Sequence, residues 1–467
     1  DERVHQERVV RQERHGGEER DHERRGAEAR APVEPVPQRR YPVGCGRHGS
    51  GLTPVEDALW LEQQHADEHH EDVQFAVRGV QQHGAEVSVI SSIPSYGPPE
   101  TWQKVPRHEK KGGVNVTRMW TTRFDKNSIL GRTINSMTFL IQLLFRVLFR
   151  ANHNEVFLYT TNPPYLPVIG AMISLFRRHP YVVLLHDSYP QLAVLVGKVK
   201  KGGFLEWLWH RLNKFMYKRA QHSIVLCREA RRLVCEGYDI PEERVHVIAN
   251  WADSEKLKDT PKNQSEFAQQ HNLVEPFTVL YSGNLGLYYE FETILGAAEK
   301  LLDENFRLVF IGAGGKRDWI AEQIEKRNLT NTVLLPYQPF EKLPDSLVAC
   351  DASLVTIAKG VEGISYPSKL YASLAVGRPI VALSESWSEL RELVENEDVG
   401  IWYELGDSAG LAEGIRGLMN DPQRAETQGK RARQLFLRDF TRDASAEKYA
   451  TVLKMAGPKT YAVGAPS

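Results

Sequence analysis

Gly363-Ile364-Ser365-Tyr366-Pro367-Ser368-Lys369-Leu370-Tyr371, running on through Gly377-Arg378-Pro379 into Ile380-Val381-Ala382-Leu383, reads as a loop, a short helix, a stop and an apolar strand. Proline is preset for a first helical turn and serine can cap free backbone N–H groups. The spacing predicts a helix over Leu370–Val376, ended by Gly377 and Pro379. Lys369 then falls at the positive end of the helix dipole, where a cation is mildly disfavoured and an anion is welcome. Amide hydrogens, dipole and ammonium converging on one point describe a phosphate site. The competing reading is a solvated lysine on an ordinary helix, which surface lysines usually are.

The same alternation extends outward in both directions. Strands are predicted at Glu86–Ser91, Glu155–Thr160, Tyr181–Leu185, Ser223–Leu226 and Arg244–Ile248. After a polar linker near Ser254–Ser265 the pattern restarts at Phe277–Tyr281, Arg307–Ile311, Thr332–Leu335, Ala352–Ile357 and Ile380–Leu383. Strands alternating with amphipathic helices imply parallel α/β sheets, and two such series imply two α/β domains facing a cleft. Ligands of such sheets bind beyond the carboxyl ends of the strands. A last helix is predicted over Pro422–Leu453, long enough to pack across both halves.

Composition narrows the function. The 467 residues suffice for two or three cores, and a net charge of −1 argues against a general nucleic-acid binder. The four cysteines, Cys45, Cys227, Cys235 and Cys350, lack paired metal spacing and suit reduced thiols. No run of about 20 apolar residues is present to span a bilayer. Before Ile90 the chain holds no Lys, Asn, Ile or Met, and residues 1–50 are dominated by Arg, Glu, His and Gly. Residues 1–80 therefore read either as a disordered charged arm or as a GC-rich stretch translated out of frame.

Several strand-end loops carry candidate chemistry. Tyr281-Ser282-Gly283-Asn284-Leu285-Gly286 precedes a helix expected near Tyr289, and its glycines let backbone approach an anion. Gly312-Ala313-Gly314-Gly315-Lys316 has an incomplete dinucleotide spacing and sits deep in the second half, which favours a nucleotide-lining loop over a nicotinamide site. His186-Asp187-Ser188-Tyr189-Pro190 follows an apolar strand, where histidine can donate to a sugar or phosphate oxygen and aspartate can accept hydroxyl protons. Thr160-Thr161-Asn162-Pro163-Pro164-Tyr165 reads as a rigid turn that could frame the cleft. Ile134–Phe149 is apolar but short for a span, with Arg132, Arg146 and Arg150 around it. It reads either as a core helix or as a segment lying in a membrane surface, with Arg177, Arg178, Lys198, Lys200 and Lys201 adding attraction to anionic lipid.

Together, His186 to Pro190, Asn250-Trp251-Ala252-Asp253, Tyr281 to Asn284, Gly312 to Gly314 and Pro367 to Tyr371 resemble glycosyltransferase family 4, in particular its bacterial exopolysaccharide, capsule and O-antigen branch. The resemblance covers about residues 85–455 and implies a GT-B fold, two facing Rossmann-like domains. Residues 81–255 would form the acceptor-side domain and 256–435 the nucleotide-sugar domain, with 436–467 a C-terminal helix and tail. It implies a retaining transfer without metal or other cofactor, from a nucleotide-diphosphate sugar to a lipid-linked saccharide. The setting would be the cytoplasm or the inner face of the plasma membrane, with no nucleic acid involved. Carried over by position, His186, Asp187 and Lys369 would be catalytic, and Gly283, Asn284, Gly312, Gly314, Glu362, Ser365, Ser368 and Tyr371 would bind substrate. The sequence departs from the family where Asn284 and Tyr289 replace an Arg and a Lys, and where Ala372 stands near the second carboxylate of a Glu pair. Those departures leave two alternatives open: a catalytically silent nucleotide-sugar-binding partner, or a GT-B sugar-nucleotide epimerase.

Overall fold

The computed structural model describes residues 87–93, 105–111, 113–124, 129–150, 155–161, 163–177 and 179–457. The segment 1–80, Cys45, Glu86, Asn162 and Arg178 lie outside the described residues, as do the side chains of Arg132 and Arg150. All of the described residues fall in one unit, Leu52–Ser467.

Strands β1 (Ser88–Ser92), β2 (His108–Lys111) and β3 (Val114–Met119) form a small sheet in the order β1-β3-β2. Neither β2 nor β3 was expected. The first is the charged run His-Glu-Lys-Lys, and only alternate residues of the second, Val114, Val116 and Arg118, are buried. Next come β4 (Phe157–Thr160), β5 (Tyr181–Leu185), β6 (His222–Val225) and β7 (Val245–Val247), parallel and in chain order.

The Tyr-Val-Val-Leu-Leu run of β5 is apolar throughout because both faces of this sheet are covered. Tyr181, Val183 and Leu185 pack with Met216, Tyr217 and Val234 from the helices that follow β5 and β6. Val182 and Leu184 pack on the opposite face against Tyr449, Ala450 and Val452. The chain thus returns at its end to close the first lobe. It does so as two helices, Pro422–Asp439 and Arg442–Ala456, and not as the single helix expected over Pro422–Leu453. At the break, Phe440 O accepts the Ala252 N–H at 3.2 Å, and Thr441 starts the second helix by accepting from Ala444 N.

The second lobe holds β8 (Phe277–Ser282), β9 (Phe306–Ile311), β10 (Thr332–Leu335), β11 (Ala352–Thr356), β12 (Ile380–Ser384) and β13 (Gly400–Glu404). All pairs are parallel, in the order β10-β9-β8-β11-β12-β13. Chain order reverses between β8 and β11, so the loops leaving these two strands part to opposite sides and open a crevice at their carboxyl ends. The Gly283 loop leaves β8 and the Lys369 loop leaves β11.

The apolar segment expected over Ile134–Phe149 lies within a helix, Ile129–Arg150, with one apolar face in the core and another exposed. Leu140, Leu143 and Val147 are buried, while Met137, Ile141, Phe145 and Phe149 form an exposed stripe four residues apart. No described helix is long and apolar enough to cross a membrane.

Candidate active site

Lys369 opens the helix Lys369–Ala375 and lines a cleft between the two lobes, facing His186 and Asp187 across it. Its Nζ lies 3.7 Å from the ring centre of Tyr289 and 4.7 Å from that of Tyr281. Burial pushes the amine down to about 7, whereas the two ring faces favour its charged form. The helix contributes less than its sequence suggested. It has seven residues, and Ser368 sits in helical geometry with no side-chain cap. The amides of Leu370 and Tyr371 already donate to Pro367 O and Ser368 O, each at 3.2 Å. Positive charge in this crevice therefore rests on the ammonium more than on exposed amides.

Gly283 and Asn284 line the same cleft from the β8 loop. A Cβ on Gly283, at φ +134°, would stand 3.5 Å from Lys369 Cε, so its bare backbone is what a ligand beside the lysine meets. Asn284 has its side-chain oxygen buried without a hydrogen-bond partner. The helix expected near Tyr289 begins instead at Glu292, which leaves Tyr289 in the turn, with its ring against Lys369. Lys316 fixes that turn, its Nζ donating to Tyr289 O at 2.6 Å, and Tyr281 donates its hydroxyl to Asn284 O at 2.6 Å.

His186 and Asp187 reach the cleft from the end of β5. The His186 amide donates to Thr161 Oγ1 at 3.1 Å. Burial holds its imidazole below the usual value, with Asp187 opposing, which favours the neutral ring, able to donate from one nitrogen. Ser188 couples this loop to the other lobe, its amide and hydroxyl donating to Ile364 O at 2.8 Å and Gly363 O at 3.2 Å. Ser365 and Ser368 also line the cleft.

Four expected ligand contacts sit elsewhere. Gly312 and Gly314 lie behind the β8 loop, where added Cβ atoms would meet Gly283 O at 1.9 Å and Leu285 C at 2.5 Å. They let two loops touch and do not line the cleft. Tyr371 is buried against Phe440, ring centres 5.1 Å apart, behind the cleft wall.

Glu362 is buried at the contact between lobes, where Oε1 accepts the Glu389 N–H at 3.0 Å and Oε2 has no hydrogen-bond partner. Glu389 Oε1 in turn accepts the Glu229 N–H of the first lobe at 2.6 Å, and Arg228 pairs with Glu389 at 3.3 Å. Burial pushes Glu362 up from 4.5 to about 7, the Glu389, Glu229 and Glu385 carboxylates act in the same sense, and the Glu389 N–H opposes them. The folded state therefore keeps a proton that the unfolded chain gives up. The resulting stability is complete below about 4.5 and lost as pH rises through about 7. In melting experiments Glu362→Gln should gain on the wild type as pH rises across that window. Parallel melting profiles would show that this carboxyl carries no such proton.

Sequence reasoning missed Tyr281 and Tyr289 as partners of Lys369, and it missed Lys256 and Arg442 on the cleft wall. The signal for Tyr289 was the departure at that position. Arg442 could not be found, since it enters from the returning C-terminal helix.

The description "Glycosyl transferase 4-like domain" matches residues 71–251 and "Glycosyl transferases group 1" matches 263–435. The protein named "Probable glycosyltransferase WbjE" of Pseudomonas aeruginosa is 26% identical over 332 residues, covering 71% of this chain and 82% of that one. Among solved structures, Anabaena HepE in complex with UDP superposes with a TM-score of 0.56 at 20% identity, over 73% of this chain and 86% of that one. Sucrose-phosphate synthase of Thermosynechococcus elongatus does so with a TM-score of 0.63 at 15% identity, over 82% and 92%. Both likenesses are of fold.

Proposed function

Because the chain belongs to the glycosyltransferases of GT-B fold, its two family matches together spanning most of its length, we propose that it is a retaining enzyme of cell-surface polysaccharide synthesis. It would move a sugar from a nucleotide-diphosphate donor to a lipid-linked saccharide. The observation that carries this reading is Lys369, an ammonium at the switch point of the second sheet, facing His186 across the cleft.

Cleaving the sugar–phosphate bond leaves positive charge on the sugar and negative charge on the departing diphosphate, and preorganised groups aimed at that charge lower the barrier. Lys369 would stabilise the leaving group beside the bare Gly283 backbone. His186 would donate to a sugar oxygen near the reacting carbon, and Asp187 would hold a hydroxyl of sugar or acceptor. The protein would need no metal for this chemistry, retention being carried over from the family. Asn284 and Tyr289, which stand where many relatives have Arg and Lys, rearrange the donor site: a tyrosine face steadies the one lysine kept.

A membrane-surface setting is supported by the first lobe. The helix that carries the stripe Met137, Ile141, Phe145 and Phe149 packs on the helix Leu166–Arg177, which packs in turn on Phe204–Arg219, and these two expose Phe176, Leu205 and Trp207. Lys198, Lys200 and Lys201 stand exposed just before the last of these, and apolar residues with flanking cations suit an anionic bilayer surface.

Melting with UDP and UDP-sugars, then donor turnover with and without bacterial membrane extract, tests the reading. Stabilisation by UDP and transfer to an extract lipid are expected. Binding without turnover would favour a silent partner, and epimer formation without acceptor would favour an epimerase.

A further inference from the structure

We propose that Tyr165, Trp209 and Tyr189 form a stacking platform for a sugar ring of the acceptor, an extension that rests on transfer to a saccharide. Trp209 is the middle ring, 5.4 Å from Tyr189 with planes 5° apart, and 5.3 Å from Tyr165 with planes 34° apart. Tyr189 and Tyr165 sit on the loops leaving β5 and β4, the ends from which His186 reaches the cleft. The two loops are joined by the His186 amide on Thr161 Oγ1, and Tyr189 lies three residues beyond His186.

The stack is held from beneath and open at its outer end. Tyr189 O accepts from Asn213 Nδ2 at 2.5 Å, and this buried amide also donates to the Tyr238 hydroxyl at 3.0 Å. Pro163 and Pro164 restrict the backbone leading to Tyr165. Tyr165, the outermost ring, remains 42% exposed. An aromatic face carries partial negative charge, and a pyranose chair offers a face of polarised C–H bonds that lies flat against it, leaving hydroxyls at its rim for polar groups such as Asp187. Trp209 belongs to the helix Phe204–Arg219, whose first turns expose Phe204, Leu205 and Trp207. The platform thus links the apolar helical surface to the strand-end loop that carries His186 and Asp187, a placement suited to the first sugar of a lipid-linked acceptor.

Saturation-transfer NMR on the full chain with methyl and octyl glycosides of glucose, galactose and N-acetylglucosamine tests this without catalysis. Ring C–H protons of at least one sugar should be saturated, and Tyr165→Leu and Trp209→Leu should each weaken that binding about five- to tenfold, with UDP stabilisation unchanged. Absence of ring-proton saturation for every glycoside, equal binding by Tyr165→Leu, or saturation confined to the octyl chain would overturn the proposal. Failure of UDP binding alongside normal sugar saturation would sink the transferase reading and leave the platform standing.

Discussion

Lys369→Met is expected to weaken UDP binding about 10- to 100-fold, the loss of one charge-assisted contact to a diphosphate. It should lower turnover by on the order of 100- to 1000-fold, since the same ammonium would meet charge that grows in the transition state. Methionine is the better probe than alanine. The lysine stem packs beside Gly283 and beneath two tyrosine faces, and alanine would open a cavity there that confuses stability with charge. The melting temperature of the methionine variant should hold, and unchanged UDP affinity in it would remove the lysine from the site. The pH dependence gives a second reading of the same atom. Burial lowers the amine to about 7, while a diphosphate binds the ammonium. Affinity should therefore be full below about 7 and fall as pH rises through and above it, with a proton taken up on binding. The two ring faces favour the charged form, so the fall should set in toward the alkaline side of that value. The variant should show a flat affinity profile over the same range.

The fold was legible because parallel strands buried on both faces are uninterrupted apolar runs. Tyr181–Leu185 coincides with β5 and Ile380–Leu383 falls within β12, both buried throughout, and neither needs alternation to be recognised. β13 was missed because it is the edge strand Gly-Ile-Trp-Tyr-Glu, with only Ile401 fully buried. The site was legible only as far as loops can be read. Strand-end residues His186, Asp187 and Gly283 fell where strand ends must put them, and Lys369 at the start of the helix that follows β11. Glu362 and Tyr371 lie on the same segment as Lys369 but do not line the cleft, and Gly312 and Gly314 lie on the loop after β9, behind the Gly283 loop. Which way a side chain turns depends on partners distant in the chain, such as Glu389 for Glu362 and Phe440 for Tyr371. No local pattern encodes that.

Gly312→Ala should be as damaging as loss of the lysine, though Gly312 lies behind the cleft wall. The added Cβ would fall 1.9 Å from Gly283 O, and φ at Gly312 is +152°, a conformation that side-chain-bearing residues rarely adopt. Neither atom can yield alone. Gly283 N donates to Ile311 O at 2.9 Å, Leu285 N to Ala313 O at 2.8 Å and Lys316 N to Leu285 O at 2.9 Å, which ties the two loops together. Making room for the methyl would break part of this ladder and move Gly283 relative to Lys369. A stability loss of roughly 2–4 kcal/mol and a more than tenfold loss of UDP affinity are expected, read by melting and titration. Gly360→Ala is the control. It also has positive φ, +74°, but nothing within 4 Å of the new atom, so it should cost only about 1–2 kcal/mol of backbone strain and leave UDP affinity intact. If both variants bind UDP normally, the close approach of the two glycine loops does not set the donor site, and Gly283 is held there by β8 alone.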